Sequence, residues 1–122
     1  MDVQVMTANL LGACEQAIER FYTMRERNAE PDFFNEVKPY ADHMRMQLQR
    51  WKTLAYEWIM ANKPKYMHTQ QIDHAYDAME QFFVQSFYKA TSKKRFIQSV
   101  QSTKYTLITL KRYIEEGQSH AE

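Results

Sequence analysis

Ala41, Met44, Leu48, Trp51, Ala55 and Trp58 recur at steps of three, four, three, four and three, and the pattern extends back to Val37. Apolar side chains at that spacing fall along one stripe of an α-helix, and such a stripe needs a second helix to cover it. Three further segments carry the same kind of stripe. Residues 3–27 place Val3, Leu10, Cys14, Ala17, Phe21 and Met24 at steps of seven, four, three, four and three, widened by Met6, Leu11 and Ile18. A third segment carries Ile72, Tyr76, Met79, Phe83 and Ala90, flanked by Ala75, Phe82 and Phe87, and a fourth carries Phe96, Val100, Thr103, Leu107, Leu110 and Ile114. Four mutually dependent helices are therefore the central expectation.

The residues that interrupt these stripes are few. Only two glycines and three prolines occur in 122 residues, which leaves an all-β chain almost no turn residues. Asn28-Ala29-Glu30-Pro31 turns the chain because Pro31 biases Glu30 away from helical dihedrals. Asp32 is a good N-cap for the next helix, yet Pro39 lacks an amide hydrogen and would clash with the carbonyl of Asn35, so a kink or break is predicted near Lys38. Asn62 to His68 forms the next loop, Thr69 is the expected cap of the third helix, and Thr91-Ser92 ends it. Ser92 caps the fourth helix and Gly117 is the expected stop before a polar, frayed tail over 117–122.

The predicted helices span about 3–27, 32–62 with the kink or break near 38, 69–91 and 93–116 within a single domain, 1–122, and their amphipathic segments of roughly 22–25 residues are each about 35 Å long. Matched lengths and short loops predict an all-α, antiparallel up-and-down four-helix bundle. The 28–31 and 91–93 loops then share one end, and the 62–68 loop shares the other with both chain termini.

Composition narrows the setting. At 44% hydrophobic and 14% aromatic residues the chain can fill a core. Sixteen Lys and Arg against fifteen Asp and Glu leave a net charge of +1, too little for a global field toward nucleic acid or an anionic membrane. Met1 to Gln4 form no basic signal-peptide region, and no run approaches the length of a membrane span. The one cysteine, Cys14, has no internal disulfide partner and sits in the first stripe, where a buried free thiol is expected. Cytoplasmic localisation follows as the expectation, with no membrane partner.

Several short stretches, taken together in order and spacing, carry a family resemblance: Asp32-Phe33-Phe34, Pro64-Lys65-Tyr66-Met67-His68 with Gln71-Ile72, Lys93-Lys94-Arg95-Phe96, and Tyr105-Thr106-Leu107. Over roughly residues 30–112 the chain resembles the YppE-like family of uncharacterised proteins from Bacillus-type bacteria. The resemblance implies an up-and-down four-helix bundle and supplies no catalytic residues.

The residues argue against the usual chemistry of bundles. A di-iron site needs inward Glu residues and Glu-x-x-His pairs, and no Glu-x-x-His occurs. His43, His68, His74 and His120 are scattered over helices, a loop and the tail. His74 or Asp73 with Asp77 would make at most a weak surface site, so no metal and no cofactor are expected. Serines 86, 92, 99 and 102 have no evident neighbouring histidine, glycines are too few for a phosphate-cradling loop, and no catalytic residue is assigned.

What remains is the surface. Lys93, Lys94 and Arg95 load cations onto a helix N-terminus, where the macrodipole disfavours each by about 0.3–1 kcal/mol. Pairing with Glu26, Glu30 and Asp32 at the same end is expected to compensate, with an anionic partner as the alternative. At the opposite end Lys63, Lys65 and His68 surround Tyr66, which is expected to plug the bundle, with Glu115 and Glu116 nearby. Phe33, Phe34, Tyr40, Tyr56, Phe82, Phe87, Tyr88, Tyr105 and Tyr113 lie beside or off the strict stripes, either as flanks of a wide core or as a docking face. The expected function is that of a non-catalytic protein-binding or adaptor bundle, with an unidentified protein partner or a second copy. Weak nucleic-acid binding through Lys93 to Arg95 is the alternative.

Overall fold

A computed structural model describes the chain over residues 2–120, with side chains over 2–117. Helix α1, Val3–Glu26, starts where Asp2 accepts the Val5 amide at 2.9 Å. It ends in a tight return: Asn28 takes a left-handed φ of 50°, and the Ala29 amide bonds back to the Met24 carbonyl at 3.1 Å. Asn tolerates that region because its short polar side chain relieves the steric cost other residues meet there.

The chain re-enters helix at Asp32, whose carboxylate accepts the Asn35 amide at 3.1 Å. Pro39 leaves its mark as a change of helix type at residues 37 and 38, the place where the kink or break is predicted. Phe33–Val37 form one turn of π-helix that runs into α2, Lys38–Asn62, with Val37 and Lys38 both in right-handed helical dihedrals. The amides of Val37 and Lys38 reach back five residues, to the carbonyls of Asp32 and Phe33. Widening the turn ahead of the proline relieves the clash with the residue-35 carbonyl.

Helix α2 ends at Lys63, another left-handed residue (φ 47°), whose amide caps the Ile59 carbonyl at 2.8 Å. Helix α3 covers Thr69–Gln85, and its N-cap is His68 rather than Thr69: the His68 amide donates to Gln71 Oε1 at 2.6 Å. Helix α4 covers Lys93–His120.

Two boundaries differ from expectation. Helix α3 stops at Gln85, well short of residue 91, because the Thr91 hydroxyl donates to the Gln85 carbonyl and Ser86 Oγ donates to the Phe83 carbonyl at 2.7 Å. These bonds draw residues 86–92 into a non-helical corner that turns Phe87 inward. The helices are consequently not matched, with 17 residues in α3 against 28 in α4. Helix α4 also passes through Gly117, which has no left-handed φ and would place a Cβ in ordinary contact with Trp58, 3.6 Å away. Of the predicted tail, residues 121 and 122 lie outside the described residues, as does the side chain of His120.

The four helices pack antiparallel in an up-and-down bundle. Neighbours are α1 with α4, α4 with α3, α3 with α2 and α2 with α1, and α1 also touches α3 across the diagonal. Aromatics dominate the core. Phe21 of α1 stacks on Phe96 of α4 with centroids 4.3 Å apart, and Phe82 meets Phe96 edge-on at 6.2 Å. Trp51, Leu48, Ala55, Ile72, Met79 and Leu107 are fully buried around them. Removing a buried aromatic to Ala costs about 3–5 kcal/mol, so these rings carry much of the fold's stability. Every stripe residue of α4 from Phe96 to Ile114 is buried, Thr103 included.

Candidate functional site

The candidate residues separate onto the two ends of the bundle. At the 63–68 end, Lys63 owes its geometry to the left-handed cap, and the Lys65 ammonium lies 5.2 Å from the centroid of the Tyr66 ring. Tyr66 itself is 65% exposed and does not plug the bundle; Met67, fully buried, does. A flexible thioether fills the irregular gap between helix ends better than a rigid ring that carries a hydroxyl. His68 is exposed. Glu115 and Glu116 do not join this loop: they take Lys111 at 2.5 Å and Arg112 at 3.9 Å, one turn back on α4.

The opposite end is built from the close of α1, the π-turn, the 86–92 corner and the start of α4. Its interior is held by arginines. Arg20 Nε donates to Ser86 Oγ at 2.8 Å while its guanidinium lies over the rings of Tyr40 and Phe87, at 4.5 and 4.4 Å. Arg25 lies over Phe21 at 4.4 Å and donates to the Thr91 carbonyl. Planar cations on aromatic faces tie the non-helical corner to α1 and α2.

The run Lys93, Lys94 and Arg95 sits on this scaffold, and the expected pairing with the 26–32 corner does not form. Glu30 instead meets Lys89 at 3.3 Å, and Lys89 also donates to Asn28 Oδ1 at 2.8 Å. Asp32 is occupied with capping Asn35, through both its amide and its side-chain nitrogen, which holds its carboxyl below the usual aspartate range. No ion pair involves Lys93, Lys94 or Arg95 among the described residues. The Lys93 ammonium instead lies 5.5 Å from the centroid of Tyr22, a ring 39% exposed on α1.

The three cations divide between two grooves. Lys93 and Lys94 rim one between α1 and α4, floored by Tyr22 and Ile97. Arg95 lines another between α3 and α4, with Gln81, Gln85, Thr91, Ser92 and Ser99. Sequence reasoning overlooked Tyr22, which adjoins the stripe residue Phe21 but has no signal of its own, and Lys89, the cation that takes Glu30.

The off-stripe aromatics divide as well. Phe82 and Phe87 are core, Tyr40, Tyr56 and Tyr113 are partly buried against it, and Phe33, Phe34 and Tyr105 are exposed, Phe34 by 75%. Phe33 and Phe34 meet edge-on at 5.2 Å on the π-turn.

Burial pushes the Cys14 thiol up to about 12, so it is not a thiolate at neutral pH. Asp73 is engaged by the Tyr56 hydroxyl and by Lys52 at 3.3 Å, which together hold its carboxyl below the usual range. Among the described residues no three His, Cys, Asp or Glu side chains are placed to hold a metal ion, and no helix is long and apolar enough to cross a membrane.

Fold and surface together define an antiparallel helical bundle with a compact aromatic core and its distinctive chemistry at the two loop ends. The chain belongs to the bacterial domain of unknown function family DUF1798, whose model matches residues 7–114. It is 31% identical over 106 residues to the uncharacterised protein YppE of Bacillus subtilis strain 168, covering 87% of this chain and 86% of that one. The crystal structure of Bacillus subtilis YppE superposes with a TM-score of 0.91 at 30% identity, covering 96% of this chain and 95% of that one. A protein of unknown function from Listeria innocua also superposes at 0.91, with 27% identity over 98% of this chain and 95% of that one.

Proposed function

We propose that this chain is a non-catalytic, cytoplasmic protein-binding bundle of adaptor type. The observation that carries the reading is the end formed by the π-turn and the start of α4. There Tyr22, Phe33 and Phe34 remain exposed, and Lys93, Lys94 and Arg95 have no carboxylate partner among the described residues. Exposed aromatic area beside unneutralised charge is the composition of a protein-binding surface, where aromatics and arginine are enriched. The displaced titrations belong to a buried thiol and to surface pairs, which supports a binding role over a catalytic one. The free buried Cys14 suits a reducing compartment.

Affinity capture from a Bacillus-type lysate tests the reading, using the wild-type protein, a Phe33→Ala/Phe34→Ala variant and a Lys93→Glu/Lys94→Glu variant. A saturable partner retained by wild type and lost by at least one variant is expected. The absence of any saturable partner, or equal retention by all three proteins, overturns it.

The same unpaired cations favour a second reading, weak nucleic-acid binding through Lys93, Lys94 and Arg95. Neutralising three phosphates gives a log–log salt slope of roughly −2 to −3. Binding of oligonucleotides that is undetectable at low salt, or unchanged when the three charges are removed, overturns it.

A further inference from the structure

We propose that the α1–α4 groove, floored by Tyr22 and Ile97 and rimmed by Lys93 and Lys94, docks a linear acidic segment of a partner protein that carries an apolar side chain among its carboxylates. The inference rests on the protein-binding role just proposed and names its partner chemistry.

Charge favours this occupant first. Of the three nearby acids, Glu30 is taken by Lys89 and Asp32 by Asn35, and exposed Glu26 makes no ion pair with the run among the described residues. Glu15, further along the same helix pair, is 3.9 Å from Lys104. Lys93 and Lys94 therefore present two ammonium groups on the first turn of a 28-residue helix, whose dipole adds to the positive potential there. An approaching carboxylate meets these charges without displacing an internal partner.

The floor of the groove favours it too. Beside the two lysines the lining is mostly apolar: Tyr22 is exposed, Ile97 is half-buried, Gln98 is the one uncharged polar side chain, and Lys93 lies over the tyrosine ring. A purely ionic ligand would leave this surface wet. A segment with one apolar side chain between carboxylates covers the floor while its charges reach both lysines, and rim charges of this kind set register and on-rate.

The same geometry disfavours a nucleic-acid occupant. Arg95 lines a separate groove across the helix, so only two cations border the floor, fewer than a tracked phosphate backbone uses.

The test titrates the full-length, isotopically labelled chain, followed by backbone and side-chain NMR. The probes are a synthetic peptide of alternating Asp and Glu around a central Leu, the same peptide with Ser for Leu, the same peptide with Lys for its acids, and a single-stranded oligonucleotide. Shifts confined to residue 22 and residues 93–98 with the Leu-bearing acidic peptide are expected, together with weaker binding of the Ser version and none of the basic one. Lys93→Glu/Lys94→Glu, at exposed positions where acids suit a helix N-terminus, is expected to leave the Tm at or above the wild-type value and weaken the acidic peptide by about tenfold. Scattered or absent shifts overturn the inference, as does tighter binding of the oligonucleotide or equal binding of the Ser peptide. A captured partner that survives Lys93→Glu/Lys94→Glu but is lost with Phe33→Ala/Phe34→Ala overturns this inference and leaves the protein-binding reading standing.

Discussion

The indole nitrogen of Trp51 donates to the hydroxyl of Thr7 at 3.0 Å, with both side chains fully buried between α2 and α1. The hydroxyl in turn donates to the Val3 carbonyl one turn back at 2.6 Å, so each polar atom in the chain of bonds has a partner. Thr7→Val removes the acceptor and leaves a buried indole N–H unpaired, which costs about 1–3 kcal/mol. In a Trp51→Phe background the same substitution should cost measurably less, because no indole remains to be orphaned. Urea unfolding of the four proteins of this cycle decides it, and equal costs in both backgrounds would show that the bond contributes nothing.

Gly12 lies inside α1, and a Cβ built on it meets nothing within 4 Å. Gly12→Ala should stabilise the bundle by about 0.5–1 kcal/mol, since the folded helix accepts the methyl and the unfolded chain loses freedom. Gly117→Ala should act in the same direction, its Cβ meeting Trp58 at ordinary contact distance. Thermal unfolding checks both, and a lower Tm for Gly12→Ala would contradict the open space around it.

Cys14 is completely buried, and its thiol is pushed up to about 12 by desolvation. Native protein at pH 8 should therefore resist iodoacetamide and disulfide reagents, whereas urea-unfolded protein should label at the rate of a free thiol. The labelling rate across a urea series should follow unfolding seen by circular dichroism. Stoichiometric labelling of the native state would place the thiol at a reachable surface instead.

Asp73 joins α3 to α2 by accepting from the Tyr56 hydroxyl and pairing with Lys52, and both hold its carboxyl below the usual aspartate value. A folded-state pKa below the unfolded one means a stabilising contribution that is present above the unfolded pKa of about 4 and lost as pH falls through the folded value. In urea unfolding across pH, Asp73→Asn should flatten the acid limb by lowering stability near neutrality while changing it little below the folded-state pKa. Because the site is open to water, the effect is small and should shrink further in salt.

Much of the fold was legible in one dimension because helical periodicity is local. The stripe Ala41 to Trp58 and its three counterparts were enough to imply four helices, and the buried side chains of α4 are the periodic ones. Misreadings cluster where a local cue competed with a distant contact. Thr91 and Ser86 terminate α3 early through bonds to its own last carbonyls, and the residues beyond are clamped by Arg20 and Arg25 from α1, each contact joining positions 66 apart. Gly117, a stop signal in isolation, is helical because α4 continues beside Trp58. Adjacent residues in the 63–68 loop show how fine the margin is: Met67 turned inward and Tyr66 outward.

The sequence by itself determined the four amphipathic helices, the buried state of Cys14 and the presence of a basic run at the start of α4, because these depend on spacing along the chain. Only the tertiary structure decided which cations are neutralised. Helix rotation and end register brought Lys89, and not Lys93 to Arg95, against Glu30, and set Lys93 over Tyr22. Those contacts join separate helices and loops through side chains that lie off every stripe, and the apolar period that orients a helix toward its core constrains such side chains only weakly.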